Sequence, residues 1–133
     1  MLKKTVSEVG GRPVILMDSI TKADEGDAGA IVISASHGGA SSGEFALEYP
    51  LGCVFFNDAG IGKDQAGIVA VDMLEKRSVA AGTVSHFTCC IGDAADMWEN
   101  GVISHVNETA HKAGMQIGQP LKDAVNSMKL GES

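Results

Sequence analysis

Four short apolar runs punctuate the chain, and each gives way to polar or glycine residues. They are PVILM (Pro13–Met17), AIVISA (Ala30–Ala35), GCVFF (Gly52–Phe56) and VAAGTVS (Val79–Ser85). Continuous rather than alternating apolarity fits strands buried on both faces. Residues 1–11 before them carry mixed charge and read as a loose arm or an edge strand.

Helical spacing appears between and after these runs. In IGKDQAGIVAVDMLEKRS, Ile61, Ile68, Val71, Met73 and Leu74 recur at roughly helical intervals, and the closing Glu-Lys-Arg suits a helix C-terminus. The stretch GDAADMWENGVISHVNETAHKAG, residues 92–114, reads as one long helix. Asp93 supplies the N-cap, Gly114 the stop, and Trp98, Val102, Val106 and Ala110 lie four apart on one face. Gly101 marks the place where that helix would kink. Met97 and Trp98 are expected in the core or at an interface, and His105 and His111 as surface or packing residues. A last short helix begins at Pro120.

The alternation predicts one α/β domain over residues 1–133. The expected form is a three-layer sandwich with a mostly parallel sheet of four to five strands flanked by helices, Rossmann-like or flavodoxin-like. The joint between the first two runs is short for a parallel crossover. ITKADE can form a small helix there, and an antiparallel start is the alternative.

In an open α/β sheet the ligand sits outside the carboxyl ends of the strands. Each apolar run here ends in side chains that can do chemistry: Asp18 and Ser19; Ser36, His37, Gly38 and Gly39; Asn57, Asp58 and Gly60; Ser85 and His86. Three glycine-bearing loops (SHGGASSGE, NDAGIGKD and SHFTCCIGD) each lead into a helix. Small residues let backbone N–H groups converge, and the helix start adds positive potential. Ser41, Ser42, Gly62, Asp64 and Asp93 join the expected ligand contacts. His37 is the expected general acid/base, because an imidazole titrates near neutrality. Asp58 would orient it or bind substrate, and His86 stands at the equivalent end of the fourth run.

Several chemistries lack their signature. There is no GxxxxGK[ST] and no GxGxxG after a strand. No GxSxG elbow accompanies the serines. Asp18, His37, Asp58, His86 and Asp93 could supply mixed metal ligands, but no HExxH-like motif is present, so no residue is assigned to a metal, and the pattern names no cofactor. Cys53, Cys89 and Cys90 form no CxxC pair and read as free thiols of a reducing, cytoplasmic setting. Cys89 and Cys90 are expected as two buried small hydrophobes.

The formal charge of −7 and the lack of clustered cations argue against nucleic acid and against an anionic membrane surface. No apolar run approaches the roughly 20 residues of a membrane span, and the N-terminal residues lack the apolar stretch of a signal peptide. The expectation is a small-molecule enzyme or ligand-binding protein for a small anionic metabolite bearing phosphate or carboxylate. A homo-oligomer is expected, because one small sheet makes a shallow crevice. A non-catalytic subunit or regulatory binding module is the alternative, and a metal-dependent hydrolase a further one.

Overall fold

The computed structural model describes residues 2–58 and 68–129. Gly60, Gly62, Lys63 and Asp64 lie outside these residues, so the third glycine loop is not described.

Six strands form one sheet in the sequential order β1 (Lys3–Val9), β2 (Arg12–Met17), β3 (Ile31–His37), β4 (Cys53–Asn57), β5 (Ala80–Val84) and β6 (Ile103–Val106). The four apolar runs become β2 to β5, mutually parallel and buried on both faces. The sheet is mixed rather than mostly parallel. β1 pairs antiparallel with β2 across the Gly10-Gly11 turn, and β6 runs antiparallel to β5. Gly10 and Gly11 have φ of 59° and 82°, a backbone region that favours glycine in tight hairpins. The mixed charge of the first residues thus belongs to an edge strand, where one face meets water. The sequential order also differs from the doubly wound orders, which reverse near the middle.

Helices cover both faces. α1 (Ala40–Leu47) and α2 (Val69–Glu75) pack on one, over Met17, Val32, Val54, Phe56 and Ala81. α3 (Ala94–Asn100), α4 (Glu108–Lys112) and α5 (Leu121–Ser127) pack on the other, over Leu16, Ile33, Phe55 and Val84. Met97 and Trp98 lie in that second core, as expected. Among the described residues no helix is long and apolar enough to cross a membrane.

The tight joint between β2 and β3 is bridged by two single 3-10 turns, Ile20–Lys22 and Glu25–Asp27, rather than by a helix. Ile20 is buried under them, and Asp24 and Asp27 form a reciprocal capping box. Lys3 Nζ reaches across from β1 to Asp27 at 2.9 Å and Asp24 at 3.0 Å.

The expected long helix over 92–114 is three elements, α3, β6 and α4. Gly101 is the break, with extended dihedrals (φ −66°, ψ 142°). A Cβ there would run into the Met97 carbonyl oxygen of α3 and lie 2.6 Å from Val84 Cγ1 of β5, so the position admits only glycine without a shift. The β-branched Val102, Ile103 and Val106 then favour a strand. His105 therefore lies on β6, not on a helix. Asn107 restarts helix as the N-cap of α4.

Candidate functional site

The carboxyl edge of β2 to β5 carries most of the expected site residues. The connections after β2, β3 and β4 lead to the α1/α2 face. The chain leaving β5 goes to the other face and enters α3. The ends of β4 and β5 stay joined beyond the strands, with the Asp58 N–H donating to the Val84 carbonyl at 3.0 Å.

Asp58 and His86 stand at that point. Asp58 is the residue after β4, and His86 lies two residues after the end of β5. Asp58 is 4% exposed. One of its carboxylate oxygens accepts from the His86 backbone N–H at 3.0 Å and lies 2.7 Å from His86 Nδ1. With the carboxylate ionised, Nδ1 carries the proton and the chemistry of the ring runs through Nε2. His86 is half-buried and lines a hollow of about 410 Å³ with Cys89, Cys90 and Ile91. Phe87 packs against the imidazole, ring centroids 4.0 Å apart.

His37 lies in the adjoining hollow, of about 360 Å³. Asp18, Ser19, Ser36, Ser41, Ser42, Phe45 and Ile91 share its wall. Ile91 thus borders both hollows. His37 is level with Asn57 on the neighbouring strand, and its ring forms no hydrogen bond among the described residues. Asp58, expected to orient His37, instead holds His86.

The segment from Ser85 to Asp93 organises this edge by folding back from β5 over the sheet. The Thr88 hydroxyl donates to the Ser85 carbonyl, and the Asn57 amide contacts Cys89 Sγ at 3.6 Å. Gly92 N–H donates to the Ala35 carbonyl on β3, and Ala94 N–H to the Asp18 carboxylate beyond β2.

Several expected ligand contacts are engaged within the protein. Asp18 accepts from the backbone N–H groups of Ala94 (3.0 Å) and Leu2 (2.8 Å), and these two bonds hold its carboxyl below the ordinary carboxylate range. Asp93 caps α3 through Asp96 N–H. Ser36 Oγ accepts from Ile20 N–H, Ser19 Oγ from Thr21 N–H and Ser85 Oγ from Phe87 N–H. Ser42 donates to the His37 carbonyl at 2.5 Å, and Ser41 is exposed on the wall. Gly38 donates its N–H to the Asn57 carbonyl. Gly39 is the N-cap of α1, which has no side-chain cap. The latter half of the glycine loop is therefore helix rather than loop.

The cysteines separate by burial. Burial pushes the Cys53 thiol up to about 12 and the Cys89 thiol up to about 11, so both are neutral at physiological pH. Cys90, expected to be buried, is exposed, with its backbone N–H on the Asp96 carboxylate at 2.8 Å. Among the described residues no three His, Cys, Asp or Glu side chains come together as metal ligands.

A hollow of about 420 Å³ lies between β1 and the α3/α5 layer, beside Trp98. Its Lys122 pairs with Glu99 at 3.1 Å and lies over the Trp98 ring, and the wall carries no histidine or cysteine.

Sequence reasoning missed two features of the site: the pairing of Asp58 with His86, and the apolar residues Phe45, Phe87 and Ile91 around it. The pairing had no local signal, since the two residues are 28 apart. Phe87 and Ile91 did carry one, being large apolar residues inside an otherwise polar loop. Comparison with protein-family models, with curated proteins and with solved structures finds no match, so function is read from the geometry alone.

Proposed function

We propose that the protein is an enzyme acting on a small phosphate- or carboxylate-bearing metabolite, with His86 as general base and Asp58 as the residue that orients it. The observation that carries this reading is the 2.7 Å contact between a buried carboxylate and an imidazole lining an open hollow. A carboxylate on Nδ1 fixes the tautomer and stabilises the imidazolium that forms when Nε2 takes a proton. The parallel strands β2 to β5 serve as in Rossmann-like and flavodoxin-like sheets, whose ligands lie outside the strand ends. His37 and the first turn of α1, which lacks a side-chain cap, offer a place for the anionic group in the adjoining hollow. His37 is then a binding group and a second proton carrier, not the base held by Asp58. The thiols fit a reducing, cytoplasmic setting.

A second reading, a binding module that presents this edge to a partner or to another copy of the chain, draws on the exposure of Phe87 and Ile91.

A thermal-shift screen against phosphorylated and carboxylated metabolites, with and without divalent metals, tests the proposal. Ligands that raise the melting temperature should do so without metal. Each should lose at least about ten-fold in affinity when His37 or His86 is replaced by alanine. Any turnover found should fall about 10²- to 10⁴-fold in His86→Gln. Hits that bind the His86→Ala and His37→Ala variants undiminished would place the ligand elsewhere and remove the proposal.

A further inference from the structure

The large apolar side chains left in water are not scattered. Four are exposed among the described residues: Phe45 (39%), Phe87 (87%), Ile91 (55%) and Ile117. The first three belong to the carboxyl edge. Phe45 and Ile91 line the His37 hollow, Ile91 also lines the His86 hollow, and Phe87 lies against the His86 ring. Apolar groups concentrated around a concave site mark a binding surface. The hollows, about 360 and 410 Å³, are large enough for a small molecule. The polar floor is set beside the apolar rim: Ser41, Ser42 and His37 on one side of Ile91, His86 on the other.

From this juxtaposition we infer that the ligand is amphipathic, an aromatic or comparably apolar body joined to the anionic head. This rests on the proposed function and narrows its substrate class. The head lies among His37, Ser41 and Ser42. The apolar body lies over Ile91 and against Phe87, covering the exposed ring. Phe87 is then a specificity residue. Its ring offers a face for stacking and holds the apolar body beside the imidazole, where the reacting group must come.

The test compares matched pairs of probes: phenylacetate against acetate, and phenyl phosphate against inorganic phosphate. Binding is read by calorimetry and by the shifts of the histidine ring resonances. In the wild type at least one aryl probe should bind about ten-fold or more tightly than its head alone. Phe87→Ala and Ile91→Ala should each remove most of that advantage. The unliganded melting temperature should hold, since both side chains are exposed. If acetate or phosphate binds and moves the His37 and His86 signals, but the ring adds nothing, the amphipathic inference fails and the proposed function stands. If no probe binds, both fail. An aryl advantage that survives both substitutions overturns the inference. So does a change in the solution mass of Phe87→Ala, because the patch would then be a surface for self-association.

Discussion

A carboxylate at 4% exposure needs partners, and within His86 Asp58 meets both the backbone and the ring. One Asp58 oxygen accepts from both the backbone N–H and Nδ1 of His86, so Asp58→Ala removes the group that holds the proton on Nδ1. The expected outcome is a changed His86 tautomer ratio, visible in the imidazole ¹⁵N spectrum. An unchanged tautomer would mean that Asp58 does not control the ring. The thiols give a second prediction at this scale. Iodoacetamide should modify Cys90 in the native protein at neutral pH and all three cysteines only in denaturant, as counted by mass spectrometry. Rapid labelling of Cys53 or Cys89 in the folded state would contradict their burial. The sequence showed which residues could act, because polar groups at the ends of apolar runs stand out. It did not show that Asp58 meets His86 and not His37. That choice depends on the register of β4 with β5, which brings Asn57 level with Val84 and sets Asp58 beside the following turn.

Elements were legible where burial on both faces wrote a continuous apolar run, as in β2 to β5. They were misread where two periodicities overlapped. Trp98, Val102, Val106 and Ala110 satisfy a four-residue spacing, yet Gly101 and three β-branched residues divert the chain into a strand. The crowding of Gly101 against Met97 and Val84, which admits only glycine at the break, is invisible before the fold exists. Asn107 then holds the new elements together. Its side-chain oxygen accepts from Ala81 N–H (3.1 Å) and Ala110 N–H (2.9 Å), and its amide donates to the Val79 carbonyl (2.8 Å). β5, α4 and the end of the α2 connection meet at this buried amide. Asn107→Ala removes a helix cap and leaves buried backbone groups without partners, so unfolding should become easier by about 2–4 kcal/mol. Urea denaturation measures it, and a loss below about 0.5 kcal/mol would show that water replaces the side chain.

Over the whole molecule, the chain leaving β5 for α3 ties the sheet edge together. Asp18 is the far anchor of that tie, joining the end of β2 to Leu2 and to the start of α3. Its carboxyl is held below the ordinary 3.8, so its contribution is full above that value and is lost as pH falls through the depressed native value. The stability gap between wild type and Asp18→Ala should be about 1–2 kcal/mol at neutral pH and should shrink in strong acid. A gap independent of pH would assign Asp18 a packing role only. That three-layer frame was readable from the alternation of runs and helical stretches. The antiparallel margins were not, because β1 carries charge on one face and β6 hid within a helical spacing.

The central claim, that the carboxyl edge of the sheet around His37 and His86 is a working site, meets its most direct test in the imidazole ¹⁵N spectrum. The measurement follows all four histidines as inorganic phosphate or acetate is added. The account predicts His86 as the Nδ1–H tautomer, with its Nε2 signal and that of His37 moving on titration while His105 and His111 stay still. Ring signals of His37 and His86 that do not move up to tens of millimolar ligand, or that move no more than those of His105 and His111, would contradict it.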